Sequence, residues 1–571
     1  MQNVVYLLFR RMRMPLVVLI CTYALSVLGF VLIPGVDAHG RPWHMDFFHA
    51  FYFVSFMGST IGFGELPYPF TGGQRLWTMI SIYATVVAWL YAIGAVLSML
   101  QDPAFRRLVR YSVFTRAVRR ITEPFHLVCG YGDTGGMVVA ALAERGMRTV
   151  VIDINQERID GLEVADYRIN VPGLCADATD IDALTAAGMT HPCCSGVLAL
   201  TNFDQVNVTV AITAKLMAPS LTVISRAEYQ DTMANLDSFG TDHIVNPFET
   251  FANRFAMAIH SPSMHLLYEW MTSTAHTVSM QLLEPPRGTW VLCGYGRMGK
   301  ALHRYLAFEG VRTVVVEADP AATGAPEEGI IHGRGTEAVT LREAKVEDAV
   351  GIIAGTDDDA NNLSIVVTAR EMNPGLFTVA RQMHRRNDAL FDAARLGLTM
   401  QPGTIMARHI LAFITTPLLG SFLRLARHRD NEWANLLISR ISGLIADEAP
   451  DTWTLPVDAE EMPAVFESLA EGVPVTLQVL CANPRKRTEA LPCLALLLVR
   501  GDDEMLLPET AIPLEQGDQL LFCGRREAAR AMLWAARNRN VLGYLRDGID
   551  RPTGTVWRWL AGDGARARTS G

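Results

Sequence analysis

Two apolar runs without a single charge limit how this chain can fold. Residues 15–34, PLVVLICTYALSVLGFVLIP, and residues 76–100 both lack Asp, Glu, Lys and Arg. At about 1.5 Å of rise per residue, some 20 residues reach across the roughly 30 Å of a bilayer core, so each run can span as a helix. One charge at the centre would cost about 2.5–3.5 kcal/mol, which makes two clean runs informative. The remainder has ordinary charge density: 19% of the 571 residues are charged, and mean hydropathy is +0.18. A disordered chain is excluded, because such chains lack the apolar residues that offset chain entropy. A many-span transporter is excluded by the charged two-thirds. A net charge of −9 gives no reason to expect a nucleic-acid partner.

Orientation follows from arginines. Arg10, Arg11 and Arg13 precede the first run, and Arg106, Arg107, Arg110, Arg116, Arg119 and Arg120 follow the second. Only Arg41 and Arg75 lie between, so both termini are expected in the cytoplasm, with the chain crossing the plasma (inner) membrane twice. The rival is a cleaved signal peptide ending near Val36-Asp37-Ala38, but the first run is too long for its apolar core. Nine scattered cysteines form no zinc-type pairs, and Cys129 and Cys293 sit in apolar runs, as reduced, buried thiols do.

Between the spans, residues 35–75 hold an aromatic stretch, Asp46-FFHAFYFVSFM-Gly58, too short to cross a membrane and readable as a re-entrant or interfacial segment. It runs into Ser59-Thr60-Ile61-Gly62-Phe63-Gly64-Glu65. A dehydrated cation needs a stack of oxygens in place of its water, and consecutive backbone carbonyls supply one when they turn to the same side. Glycine at alternating positions permits the left-handed dihedrals this requires, and Gly62 and Gly64 flank Phe63 in that pattern. Thr60 can add its hydroxyl.

Span, short helix, T-x-G-[YF]-G-[DE], span resembles the pore of potassium channels. Thr60, Ile61, Gly62, Phe63, Gly64 and Glu65 match the filter motif, with Ile for the usual Val, Phe for Tyr and Glu for Asp. The resemblance implies K⁺ coordinated at Thr60, Ile61, Gly62 and Phe63, within a filter at residues 58–65, and a homotetramer around one axis. Family members often carry a glycine hinge midway along the second span, where this chain has Ala84-Thr85, with Gly94 lower.

From residue 125 the pattern changes to alternating strand and helix. Phe125-HLVC runs into Gly130-Tyr131-Gly132-Asp133-Thr134-Gly135, a helical segment follows, and Thr149-VVI ends on Asp153. Strand, glycine turn, helix and acid-ended strand make the dinucleotide fingerprint in its proper context. Glycines let phosphate approach the backbone at a helix N-terminus, and Asp153 is placed to accept from a ribose while repelling a 2′-phosphate. Asp177 and Thr201 complete the first candidate site. The unit then recurs: Gly294-Tyr295-Gly296-Arg297-Met298-Gly299-Lys300 follows 164 residues later, and Glu317 repeats the acid at the same offset. Asn207 matches Asn362, Arg226 matches Arg381, Pro262 matches Pro417 and Thr201 matches Thr356, all 155 residues apart. The second loop has Arg297 and Lys300 for phosphate charge, where the first has Asp133, which predicts unlike ligands or affinities. Asp357-Asp358-Asp359 offers oxygens to Ca²⁺, although a solvated strand-end loop explains the run as well.

This repeat resembles the regulator-of-potassium-conductance (RCK) domain, a Rossmann-like lobe followed by a helix–turn–helix interface. The implied fold class is a membrane α-helical two-span pore domain plus cytoplasmic α/β, with two tandem RCK domains and a small α+β C-terminal subdomain. The expected order is an N-terminus over 1–14, spans at 15–34 and 76–100 flanking 35–75, and a linker over 101–124. RCK domains follow over 125–287 and 288–430, then the subdomain over 431–537 and a tail over 538–571, expected to be frayed after Arg551. Helices such as 248–260 and 263–273 meet at Ser261-Pro262, and Val475–Leu480 and Leu494–Val499 read as subdomain strands.

The function so implied is a tetrameric, potassium-selective channel gated by NAD, an adenine nucleotide or Ca²⁺ acting on a ring of RCK domains. Its linker arginines would also meet anionic membrane lipid. One alternative is a membrane-anchored nucleotide-responsive regulator with a vestigial or non-selective pore. An NAD-dependent reductase tethered to the membrane is another, but no Tyr-x-x-x-Lys and no separate substrate domain are present, so no enzyme is expected.

Overall fold

A computed structural model describes residues 2–549 except 63–65, 67, 273–282, 326–328 and 446–448, with side chains from Met12 onward. The chain divides into two units, Met1–Thr122 and Glu123–Gly571.

Among the described residues the first unit has four helices and a two-stranded antiparallel ribbon that pairs Gly35–Val36 with Pro42–Trp43. α1 (Gln2–Leu32) and α3 (Gly72–Gln101) contain the stretches long and apolar enough to cross a membrane, Met12–Leu32 and Gly72–Gln101. Between them lies α2 (Phe47–Gly58), the aromatic stretch folded as one short helix. The Asp46 carboxylate caps α2 by accepting from the His49 amide at 2.7 Å. Thr71 and Gln74 start α3 with a reciprocal capping box. α4 (Pro103–Arg119) opens on Asp102 with proline at its first position and carries the linker arginines. α3 is continuous through Ala84-Thr85 and Gly94.

Aromatic rings hold the unit together. Phe30, Phe53 and Phe70 meet edge to face or stacked. Trp77 lies so close over Gly29 that a Cβ there would sit 2.0 Å from the ring, and its indole N–H donates to the Ser26 carbonyl at 3.0 Å. Across the bundle Trp89 donates to the Tyr23 hydroxyl at 2.7 Å. Many apolar side chains on α1 and α3 still face outward, including Ile20, Leu25, Tyr83 and Leu90, as expected of helices surrounded by lipid or by other chains.

The second unit contains two six-stranded parallel sheets of identical order. In the first lobe β1 (Phe125–Cys129), β2 (Arg148–Asp153), β3 (Gly173–Cys175), β4 (Cys194–Ala199), β5 (Thr222–Arg226) and β6 (His243–Val245) lie in the order β3-β2-β1-β4-β5-β6. In the second, β7 (Trp290–Cys293), β8 (Thr313–Glu317), β9 (Ile330–His332), β10 (Gly351–Ala354), β11 (Phe377–Arg381) and β12 (Leu398–Met400) lie in the order β9-β8-β7-β10-β11-β12. Both are doubly wound Rossmann sheets whose order reverses beside the first strand, where ligands of such sheets bind.

The lobes exchange helices. Helix 247–260 of the first lobe enters the core of the second, where Phe248, Phe251 and Phe255 pack with Trp290, Met298 and Leu302. Helix 402–415 of the second returns the contact, with Met406, Ile410 and Leu411 packed on Val138 and Leu142. The paired helices end where prolines break them: Pro247–His260 is followed by Pro262–Thr272, and Pro402–Thr415 by Leu418–Ala426 after a bend of 115°. The second pair is apolar because it is buried in these cores.

Helix 431–445 ties the subdomain to the first turn: Asn431 accepts from the Ser261 hydroxyl at 2.9 Å, and Asn435 from the Ser263 hydroxyl at 2.6 Å. The antiparallel sheet beyond comprises β13 (Asp451–Pro456), β14 (Cys493–Arg500), β15 (Asp503–Leu506) and β16 (Gln519–Gly524), ordered β13-β16-β14-β15. Cys493–Arg500 contains the expected Leu494–Val499 strand. The run Val475–Leu480 is not a strand. Leu477–Leu480 forms one helical turn because Leu477 and Leu480, three apart, are both buried, and only Thr476 bridges to Pro513. Helix 539–547 packs Leu542 into the subdomain core, so ordered structure continues past residue 537, while the tail beyond 549 lies outside the described residues. All nine cysteines are free, and burial pushes the thiols of Cys129 and Cys293 up to about 12.

Candidate functional site

The filter segment hangs from the C-terminal end of α2. The Ile61 and Gly62 amides both donate to the Phe56 carbonyl, at 3.1 and 3.3 Å, and the Thr60 amide donates to that of Met57 at 3.2 Å. Thr60 and Gly62 have φ of 62° and 68°, so left-handed residues alternate along the segment. For Thr60 this conformation costs roughly 1–2 kcal/mol, a strain that persists where surrounding structure enforces it. The unbonded carbonyls at a helix C-terminus carry partial negative charge, which favours a nearby cation. Gly58 is fixed by packing: a Cβ there would lie 2.6 Å from the Tyr23 hydroxyl. Phe63, Gly64 and Glu65 lie outside the described residues.

Each Rossmann lobe forms a glycine-lined crevice. Gly130 and Gly294 have φ of 104° and 99°, making the turn out of β1 and β7. A Cβ at Gly135 would sit 1.9 Å from the Gly130 carbonyl oxygen, and one at Gly299 2.1 Å from that of Gly294. The middle glycines differ. Gly296 has nothing within 4 Å of such a Cβ, and Gly132 has only the Arg158 guanidinium, at 3.6 Å. Those positions leave room for a ligand to reach the backbone. Helices 133–144 and 297–308 start at Gly132 and Gly296 without a side-chain cap, so no capping side chain takes their first-turn amides.

The two acids lie at the expected strand ends and are buried. Asp153 accepts from the amides of Tyr131 at 2.6 Å and Asn155 at 2.8 Å, and pairs with Arg158 at 3.3 Å. Glu317 accepts from the amides of Tyr295 at 2.5 Å and Asp319 at 3.0 Å. Each acid thus steadies its own glycine loop. The Tyr131 hydroxyl meets that of Tyr167 at 2.5 Å, and burial together with this contact raises its pKa.

Opposite the acids, a buried asparagine organises each crevice. Asn207 accepts from the Thr201 amide at 2.9 Å and hydroxyl at 2.8 Å, and donates to the Thr201 and Arg226 carbonyls. Asn362 repeats all four contacts with Thr356 and Arg381. The register matches found along the sequence are therefore one clamp built twice. Asp177 accepts from the Thr179 amide and hydroxyl, both at 2.8 Å, within its own turn. Thr134 and Met298 are buried, so their side chains are not offered to a ligand.

The cations are distributed unequally. Arg297 pairs with Glu228 of the first lobe, lies 3.7 Å from Asp357, and stacks 5.3 Å from the Phe248 ring. Lys300 is exposed, 6.0 Å from the Tyr295 ring. In the first crevice the cation is Arg158, beside Asp153 and Gly132; its counterpart in the second lobe is Ala322. The sequence carries one signal for Arg158: it lies five residues beyond the acid that ends β2.

The three consecutive aspartates do not converge. Asp357 pairs with Arg381, Asp358 caps a helix by accepting from Asn361, and Asp359 accepts from the Met383 and His384 amides and from Asn387. Among the described residues no three His, Cys, Asp or Glu side chains gather as a metal would need.

Comparison with known proteins agrees with this division. The ion channel family profile matches residues 17–102, and the TrkA-N domain profile matches twice, over 126–247 and 290–400. Potassium channel protein 1 of Methanocaldococcus jannaschii is 28% identical over 204 residues, which cover 36% of this chain and 59% of that protein. Probable potassium channel protein 2 of the same organism is 24% identical over 41% of this chain and 63% of its own length. The chain thus spans about three-fifths of each of these relatives. Among solved structures, the GsuK channel bound to NAD is 16% identical, covering 93% of this chain and 98% of that one, with a TM-score of 0.45.

Proposed function

From a chain built as an ion-channel domain followed by two TrkA-N domains, we propose a potassium-selective channel opened or closed by nucleotide binding to its Rossmann lobes. The observation that carries this reading is the alternation of left-handed residues at Thr60 and Gly62, held at the end of a short helix between two spans. Thr60 ends the short helix in the left-handed conformation of a helix C-terminus, and the turn it makes leads into Gly62, where glycine lets carbonyls turn towards an ion path. One such segment cannot enclose an ion, so four chains would contribute four segments, and eight lobes would form the cytoplasmic ring.

The arginines flanking the spans support cytoplasmic termini in the plasma (inner) membrane. NAD or an adenine nucleotide would lie with its phosphates over Gly132 or Gly296 and its ribose at Asp153 or Glu317. A ligand shifts an equilibrium only by its differential affinity for the two states, so gating would follow from crevice geometries that differ between open and closed rings. The helix Pro103–Arg119 joins the second span to the first lobe along the chain and would pass the movement on, its arginines resting on anionic headgroups. The chain carries no chemistry of its own in this reading.

Flux through liposomes under opposed K⁺ and Na⁺ gradients, with NAD⁺, NADH, ADP and ATP titrated on the lobe side, tests it. K⁺-preferring flux that responds to one of these nucleotides and is lost in Gly62→Ala is expected. Flux without K⁺ preference, unchanged by Gly62→Ala, would favour the regulator with a vestigial pore. NADH consumption with an added acceptor would favour the reductase.

A further inference from the structure

Glu228 lies two residues beyond the end of β5, and its amide donates to the Asp204 carboxylate at 2.9 Å, which fixes the backbone there. Its side chain, only 10% exposed, divides between two arginines: one oxygen meets Arg226 of its own lobe and the other meets Arg297 of the second lobe. Arg297 is the first residue of helix 297–308, directly after the open glycine Gly296. It lies between the rings of Phe248 and Tyr229, at 5.3 and 5.4 Å. The arginine that opens the helix at the second glycine loop is therefore already held by a carboxylate from the other lobe.

The first crevice has no such arrangement. Its position matching Arg297 is Asp133, and the position matching Phe248 is Gly403, whose Cβ would lie 3.6 Å from that of Asp133. The acid–arginine lock is a property of one crevice only.

We propose that Glu228 is a built-in competitor for the phosphate of a second-crevice nucleotide, and that such a ligand binds by displacing it from Arg297. This rests on the reading of the crevice as a nucleotide site. Carboxylate and phosphate oxygens compete for the same guanidinium fork, so the two cannot both use Arg297 fully. Arg226 remains the partner of a displaced Glu228, so what a ligand must overcome is the Arg297 contact alone. Arg226, Arg297 and Arg381 converge here on the Glu228 and Asp357 carboxylates, so an incoming phosphate meets guanidinium groups that already have carboxylate partners. Binding would also break a contact between the lobes, so occupancy of the second crevice and the fit of one lobe against the other become linked.

The test uses the full-length protein in detergent, with ADP as the probe and calorimetry as the readout. Asp153→Ala and Glu317→Ala backgrounds let each crevice be read without the other. Glu228→Gln is expected to tighten ADP binding in the second crevice at least tenfold and to leave the first unchanged. The gain should be smaller for AMP and should vanish in Glu228→Gln/Arg297→Gln. Should Gln at 228 lower the melting temperature, Glu228→Asp, shorter by one carbon, reads in the same direction. Unchanged second-crevice affinity in these variants, or a gain that survives loss of Arg297, overturns the proposal while leaving the nucleotide reading intact. Failure of ADP to bind any folded variant overturns both.

Discussion

The Tyr131 amide donates to Asp153 across the mouth of the first crevice at 2.6 Å, so the acid positioned for a ribose also holds the glycine loop. With Asn155 and Arg158 it already engages three groups, and a carboxylate offers about four lone-pair sites. A ribose hydroxyl would take the remaining site or displace Arg158. Asp153→Asn keeps the shape but removes the charge that strengthens each bond. Nucleotide affinity in the first crevice should fall roughly 10- to 100-fold, the cost of weakening one or two charge-assisted hydrogen bonds. Calorimetric titration checks this, and affinity equal to wild type would show that the acid serves the loop alone.

The glycines of one loop should fail in different ways. Gly299→Ala places a methyl 2.1 Å from the Gly294 carbonyl oxygen, so helix 297–308 must move and the lobe should be destabilised by about 1–3 kcal/mol. Gly296→Ala meets nothing within 4 Å and has φ of −70°, so the protein should melt as wild type does. It should nevertheless lose nucleotide from the second crevice, because the methyl occupies the approach to the backbone. Thermal melting paired with titration separates the two, and equal melting of both variants would contradict the packing role of Gly299.

Asn207 and Asn362 should each be worth more than an ordinary buried side chain. Substitution by Ala at either leaves a threonine amide and hydroxyl and two carbonyls without their partner. Unsatisfied buried groups cost about 1–3 kcal/mol each when water cannot reach them, so a loss of about 3 kcal/mol is expected at each site. Thr201→Val and Thr356→Val remove only the hydroxyl contact and should cost less. A melting temperature unchanged by Asn362→Ala would mean the clamp is dispensable.

What could be read from the sequence was set locally. The spans, the glycine loops and the acids at β2 and β8 each depend on residues within one strand–turn–helix unit, and their spacing alone identifies them. Duplication was legible for the same reason, since Asn207 and Asn362 keep a constant offset. The Glu228–Arg297 pair was not legible: it joins residues 69 apart and exists only because helix 247–260 of one lobe enters the core of the other. Arg297 looked available for phosphate because nothing near it in the chain is acidic. The apolar run at 475–480 is too short for its pattern to separate a strand from a helical turn, and burial of Leu477 and Leu480, three apart, is what makes it a turn.

Acid should loosen the helices shared between the lobes. His265 and His409 are buried with Arg254, and burial, aided by that cation, pulls both imidazoles down to about 4. Around them stand Arg254 from helix 247–260, Tyr268 and Glu269 from helix 262–272, Arg408 from helix 402–415, and His243 with Asp242 beside β6. Glu269 is committed to Arg254 and Arg408 and offers His265 only a contact at 4.0 Å. In the unfolded chain both histidines titrate near their ordinary value of about 6.5. As pH falls from about 6.5 towards 4, the unfolded chain takes up protons that the folded one refuses, so stability falls over that window and is complete above it. Each histidine contributes up to roughly 3 kcal/mol by its lowered pKa, with about 2 kcal/mol already lost at pH 5. The melting temperature should therefore drop between pH 7 and pH 5, and His265→Gln and His409→Gln should each make that drop smaller, the remainder including His126 and His243, whose imidazole pKa values burial also lowers. Equal drops in wild type and both variants would place the acid sensitivity elsewhere in the chain.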